Sequence, residues 1–301
     1  AIWDGGIAFV QATQALGGWL TVPMKLFSFL GEVEFYLVVL PLLFWCWDAR
    51  LAMRAAAILF MSSSLNDALK IAFHGPRPYW LTQDVSALSS QTSFAMPSGH
   101  AQHGISVWGL LAASSVRWWA RPAAMLVIVL IGLSRVYLGM HFPGDVLVGW
   151  LVGACLLWLF LRYEGRVGAW LAQRTALQQA AVAAGASLAL LLPVLAALAV
   201  LGDWQTPGAW VRNATAQTGV APDPLNIEST VTVSGTVLGM GLGLIALRRA
   251  GGMSTGGTAR RRALRPPQPR RYAVDVQSVH PRVEEHLLQG GAGRRVAVAH
   301  R

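Results

Sequence analysis

Hydrophobic residues make up 54% of the 301-residue chain and charged residues only 13%, roughly half the charge of a soluble domain, which excludes an ordinary water-soluble globular fold. The net charge of +10 does not indicate nucleic-acid binding, because twelve Arg against three acids lie from Arg248 onward and account for nine of those ten charges. The two cysteines, Cys46 and Cys155, both lie inside apolar runs, so neither a disulfide framework nor a metal site is indicated.

Residues 1–31 alternate apolar positions (Ile7, Phe9, Val10, Leu16, Trp19, Leu20) with Gln11, Thr13, Gln14 and Gly17-Gly18. This reads as amphipathic helix lying on a membrane surface, interrupted as a span by Lys25 and its polar residues. Ala1-Ile2-Trp3-Asp4 lacks the basic start of a secretory signal, so the first span is expected to act as the insertion signal. Seven apolar runs follow, at about 33–47, 52–72, 100–116, 122–137, 145–161, 178–201 and 228–247. They approach the ~20 residues a bilayer requires. Pro41 and Pro193 fall inside two of them and are candidates to kink their helices. Gly235, Gly239 and Gly243 form a small-residue stripe in the last run, expected to pack within the bundle, with a dimer face as the alternative.

Basic loops alternate with loops poorer in cations. Arg50 with Arg54, Arg117 with Arg121, Arg162 with Arg166 and Arg174, and Arg248-Arg249 are assigned to the cytoplasmic side. Trp45, Trp47, Trp118, Trp119, Trp158, Trp204 and Trp210 fall near run ends, as in an interfacial aromatic belt. Residues 202–227 read as an extracytoplasmic loop, and the glycosylation pattern at Asn213-Ala214-Thr215 is discounted. The fold class is therefore all-α: a polytopic membrane helix bundle of about six to seven transmembrane helices with amphipathic N-terminal helices. The expected units are an interfacial segment 1–31, a main bundle 32–165, two further spans in 166–249, and a basic, disordered cytoplasmic tail 250–301.

Three polar segments interrupt this pattern, and the topology brings all of them to the extracytoplasmic face. The first is Lys70 with Arg77-Pro78. Arg77 offers a planar fork and Lys70 a point charge for an anion. Arg77 alone reads equally well as a snorkelling or loop arginine, and Arg135 as an interfacial anchor. Lys70 lies on a span, where polar residues generally serve a site, and Asn66 and Asp67 are candidates to position it. The second segment is Pro97-Ser98-Gly99-His100 at a helix start. There the amides of Ser98 and Gly99 are expected to be free for an anion. The third is Ser134-Arg135 with His141 and Asp145. Pro143 starts a helix, and a carboxylate in its first turn can hold one ring nitrogen of His141, leaving the other as a nucleophile. His103 reads as a bundle residue or a supporting one, and His74 as peripheral. A metal is ranked low, because three cations crowd the histidines and clustered carboxylates are missing.

The arrangement Lys-x6-Arg-Pro (70–78), Pro-Ser-Gly-His (97–100) and Ser-Arg-x5-His-x3-Asp (134–145) resembles the type 2 phosphatidic acid phosphatase superfamily, over about residues 33–162. The resemblance implies a metal-independent lipid phosphatase without cofactor, acting on a phosphatidic acid, phosphatidylglycerophosphate or polyprenyl diphosphate type of substrate. In it His141 forms a phosphohistidine, and His100 protonates the leaving oxygen and then activates water. Asp145 orients His141, and Lys70, Arg77, Arg135, Ser98 and Gly99 bind the phosphate. The apolar spans set it apart from the soluble haloperoxidases that share these motifs. A catalytically silent membrane scaffold or lipid-binding protein is the alternative. Abundant Ala, Leu, Arg and Trp with few Lys point to a GC-rich bacterial gene, hence an inner membrane with the site facing the periplasm.

Overall fold

The computed structural model describes residues 3–251. Within them eleven α-helices follow one another: α1 (Asp4–Gln14), α2 (Thr21–Phe29), α3 (Val33–Cys46), α4 (Ala49–Phe73), α5 (Pro78–Leu81), α6 (Gly99–Ala113), α7 (Ala120–Tyr137), α8 (Pro143–Ala172), α9 (Ala176–Leu201), α10 (Gly208–Thr218) and α11 (Glu228–Arg249). No strand occurs among the described residues. The expected tail lies outside them, apart from its first two residues. Five stretches are long and apolar enough to cross a membrane, and α2 with α3, bent by 50° at the break between them, would make a sixth. The protein is an integral membrane helix bundle.

Local chemistry sets the helix ends. The Asp48 carboxylate accepts from the amides of Arg50 (2.9 Å) and Leu51 (3.0 Å) and starts α4. Thr175 and Gln178 cap α9 reciprocally. Pro143 sits in the first turn of α8, where its missing N–H costs nothing.

Helix α6 is the centre of the bundle and packs on α4, α7 and α8, while α9 and α11 cover the outer side of α4. The α6–α8 contact is close because Gly149 and Gly153 face it. A Cβ on Gly149 would lie 2.6 Å from the Ser98 carbonyl oxygen, and one on Gly153 would lie 2.6 Å from that of Gln102. This small-residue seam lets two backbones meet without side chains between them. At the end remote from the motifs, Arg54 on α4 grips Glu164 on α8 through Nε (2.7 Å) and Nη2 (2.5 Å), and donates to Ser114 through Nη1 (2.9 Å).

Three expectations need correction. The segment 202–227 is not all loop: it contains α10, whose Trp210 packs on Trp80, while Trp204 before the helix packs on Phe94. Its Asn213 and Gln217 donate to the carbonyls of Trp80 and Thr82. The stripe Gly235, Gly239, Gly243 has nothing within 4 Å of a built Cβ, whereas Gly241 faces Ala183 of α9. The last helix therefore packs through a different face from the one the four-residue repeat suggested. Residues 1–31 also do more than lie at an interface. Gln14 of α1 donates to the carbonyls of Ser86 (2.8 Å) and Tyr137 (3.0 Å), and α2 packs along α7.

Candidate active site

The C-terminal end of α4 and the loop after it, the N-terminus of α6, the C-terminal end of α7 and the start of α8 meet at one end of the bundle. They bring Lys70, Arg77, Ser98, Gly99, His100, Arg135, His141 and Asp145 together there. The turn that delivers His141 depends on Gly139, whose φ of 75° lies in the left-handed region. That turn lets the Arg135 carbonyl accept from the amides of both Met140 (3.0 Å) and His141 (3.3 Å). It fixes Arg135 and His141 relative to each other through the main chain.

His141 is buried. Its Nε2 faces Arg77 Nη1 at 3.3 Å, and its Nδ1 lies 3.5 Å from Asp145 Oδ2. Because a guanidinium only donates, Nε2 must be the accepting nitrogen, and the neutral ring carries its proton on Nδ1, toward the carboxylate. Asp145 Oδ2 also accepts from the Phe142 amide at 2.8 Å, which holds the carboxylate in place. Nδ1 itself completes no hydrogen bond, so Asp145 acts on it across a gap slightly beyond hydrogen-bond length. Burial first, then the charges of Arg77, Arg135, Lys70 and His100, hold the His141 imidazole well below its ordinary pKa.

The three cations differ in how they are used. Arg77 directs all of its donors at the protein. Nε reaches Ser93 O (2.7 Å), Nη1 reaches Met140 O (3.0 Å) and His141 Nε2, and Nη2 reaches Ser93 Oγ (3.2 Å) and Phe94 O (3.2 Å). It ties the 91–96 loop to the His141 turn. Lys70 Nζ donates to the same Ser93 Oγ at 2.8 Å. Arg135 donates only through Nη1, to Ser28 Oγ at 2.6 Å, while its buried Nε and Nη2 have no partner. Buried donors without acceptors are costly, and of the three cations Arg135 is the one left with such donors.

The N-terminus of α6 differs from expectation in one respect. The Ser98 amide is not free, because it donates to the Asp145 carbonyl at 2.9 Å and so joins the α6 and α8 starts. The Ser98 hydroxyl is buried without a partner. Gly99 opens the helix, so first-turn amides still point out of its end. Asn66 directs its hydrogen bonds away from Lys70. It bonds Pro97 O (3.2 Å) and Gln102 Oε1 (2.9 Å), within a buried seam where Ser62 Oγ meets His103 Nδ1 at 2.8 Å. His103 is thereby committed to the seam, and His74 lies at the surface beside Phe94 and Trp204. Asp67 accepts from Thr230 at 2.8 Å and fastens α11 to α4.

Sequence reasoning missed Ser28, Glu32 and Ser93. Ser93 is a loop serine with no pattern around it. Ser28 and Glu32 lie outside the three motifs, and only the fold brings them to Arg135 and His100. A polar cavity of about 500 Å³ opens beside them, lined in part by Lys25, Ser28, Glu32, Ser89 and Gln217.

Residues 51–169 match the PAP2 superfamily. The chain is 27% identical over 173 residues to lipid phosphate phosphatase delta of Arabidopsis thaliana, covering 52% of this chain and 42% of that one. It is 29% identical over 165 residues to phosphatidylglycerophosphatase B of Bacillus subtilis (strain 168), covering 50% and 77%. The crystal structure of a transmembrane PAP2 type phosphatidylglycerolphosphate phosphatase from Bacillus subtilis aligns at a TM-score of 0.48 and 26% identity, over 55% of this chain and 87% of that one. The chain spans about half the length of most of the curated relatives it matches.

Proposed function

We propose that the chain, whose residues 51–169 match the PAP2 superfamily, removes phosphate from a membrane lipid phosphate or diphosphate, without metal, through a phosphohistidine. The observation that carries this reading is the pairing at the His141 turn. His141, whose accepting Nε2 is braced by Arg77, hangs on the same main-chain turn as Arg135, a buried arginine with two unused donor atoms.

In the first step His141 Nε2 leaves its contact with Arg77 and attacks phosphorus. A P–N bond forms as the P–O bond breaks, and His100 gives its proton to the leaving oxygen. Asp145 stabilises the imidazole as it becomes cationic. Arg135 Nε and Nη2, Lys70 and the first-turn amides of α6 hold the equatorial oxygens, with the Ser98 hydroxyl beside them. Arg77 contributes chiefly by fixing His141 and the 91–96 loop. In the second step His100 takes a proton from water, the resulting hydroxide attacks phosphorus, and His141 is released. The catalytic unit is the bundle 32–165, with the site facing the periplasm and the basic loops on the cytoplasmic side.

Two surfaces support a lipid substrate. The polar cavity beside Ser28 and Glu32 suits a headgroup. An apolar cavity of about 310 Å³ starts at Val33, one residue beyond Glu32, and runs past Tyr36, Leu40 and Phe44 toward Trp45, which suits a hydrocarbon chain.

The test is release of inorganic phosphate from phosphatidic acid, phosphatidylglycerophosphate and a polyprenyl diphosphate in detergent, with and without EDTA. Release that survives EDTA, is blocked by vanadate and is lost in His141→Ala, with an acid-labile phosphoenzyme trapped in the wild type, is expected. No release from any substrate by folded protein would leave a non-catalytic lipid-binding role. Loss with EDTA and rescue by Mg²⁺ would overturn the metal-free mechanism.

A further inference from the structure

The break between α2 and α3 is pressed onto the first turn of α6. Trp108 Nε1 donates to the Leu30 carbonyl at 3.2 Å. A Cβ on Gly31 would lie 3.2 Å from His100 Cβ and 3.3 Å from the His100 carbonyl oxygen. One turn earlier, Ser28 accepts from Arg135. The same short segment therefore touches both His100 and Arg135.

Glu32 lies at the end of this break, as the residue before α3. Its side chain makes no capping bond to that helix. It turns instead to His100, with Oε1 at 3.6 Å from Nε2. That nitrogen is buried and has no hydrogen-bond partner. Burial is the first influence against a charged His100, and the titratable groups whose fields add to it are Arg135 on α7, His103 on α6, Lys70 on α4 and Arg77 after α4. All of these oppose a positive imidazole. Glu32 is the acid that faces it.

We propose that Glu32 is the positioning carboxylate of His100, orienting that imidazole and favouring its protonated form so that it can deliver a proton to the leaving oxygen. The proposal rests on the phosphatase reading above. It pairs each histidine of the site with its own acid, Asp145 for His141 and Glu32 for His100. Only the first of these acids belongs to the recognised motifs.

The experiment compares wild type, Glu32→Gln and Glu32→Asp in detergent by turnover against pH, and by NMR titration of labelled histidine, with the His100 signal assigned by its loss in His100→Ala. In Glu32→Gln, kcat at about pH 7.5 is expected to fall by roughly tenfold, one pH unit's worth of lost acid. The basic limb should move to lower pH and KM should stay nearly constant, with Glu32→Asp recovering part of the effect. The His100 titration should move in the same direction. A rise in KM with an unmoved limb would make Glu32 a headgroup contact and overturn the proposal, as would an unchanged His100 titration. If the wild type releases no phosphate, the phosphatase reading fails, while the NMR comparison still decides whether Glu32 controls the protonation of His100.

Discussion

Arg135→Met separates what the site needs for stability from what it needs for binding. In the ligand-free protein the Arg135 side chain is fully buried, and Nε and Nη2 have no acceptor. Each unsatisfied buried donor costs about 1–3 kcal/mol. Methionine has similar length and no polar group to satisfy. The substitution gives up the charge-assisted Nη1 bond to Ser28, worth about 1.5–3 kcal/mol. The two unsatisfied donors together cost about 2–6 kcal/mol, so the net expectation is a ligand-free protein no less stable than wild type and more stable by up to about 4 kcal/mol. Binding should go the other way. Two charge-assisted bonds to phosphate oxygens at about 1.5–3 kcal/mol each amount to a loss of about 10²–10⁴ in kcat/KM. The assay is thermal unfolding in detergent, followed by tryptophan fluorescence, with and without orthophosphate or vanadate. Wild type should be stabilised by either anion, and the variant should not be. A variant that melts below wild type without ligand, yet keeps the anion-induced shift, would refute the assignment of these donors to the phosphate.

Three further expectations follow from other parts of the molecule. Gly149→Ala places a methyl 2.6 Å from the Ser98 carbonyl oxygen and 3.2 Å from Ala101 Cβ, which backbone movement must absorb. It should lower stability by about 1–3 kcal/mol and reduce turnover by displacing the α6 start, and a melting temperature within about 1 °C of wild type would contradict this. Arg54 and Glu164 keep side-chain exposures of 28% and 24%, so a double-mutant cycle to Met and Gln should give a coupling of only about 0.5–1 kcal/mol with kcat unchanged, and a large effect on kcat would link that end to the chemistry. Burial and neighbouring cations depress the His141 pKa, so its NMR signal in ligand-free protein should still be that of a neutral ring at about pH 6. Below about pH 6.5 the unfolded chain takes up a proton that the folded site refuses, and His141 should then contribute a loss of stability of up to about 1.4 kcal/mol per pH unit as pH falls; an imidazolium signal at about pH 6.5 would refute the reading.

Most of the bundle was legible because lipid solvent imposes a strong pattern: each long apolar run became a helix, with ends close to those expected except in α8, which continues past the expected end near 161 to Ala172 and carries Arg162 and Arg166 on helix rather than in a loop. Alpha-10 was missed for a physical reason. Its segment, Gly208–Thr218, is mixed in polarity and owes its place to Trp210 packing on Trp80, with Trp204 against Trp210, a contact between residues far apart in the chain. The glycine stripe misled because a four-residue repeat says that a face is smooth but not which partner meets it. Gly241, off the stripe, is the one against Ala183.

At the site, the residue types and their common location were readable, but the distribution of hydrogen bonds was not. Lys70, Arg77 and Arg135 look equivalent as charges. The fold divides them, because Arg77 lies between two loops and finds five protein acceptors, whereas Arg135 projects from the last turn of α7 and finds only Ser28. The first is occupied as a brace and the second is left open, a difference in partners rather than in sequence. The same holds for the histidines. Asp145 could be assigned to His141 because four residues on a helix start bring them together. Glu32 could not be assigned to His100, since 68 positions separate them and only the α2–α3 break against α6 closes that distance. A motif records the local half of a site, and the supporting half is carried by whichever helices pack against it.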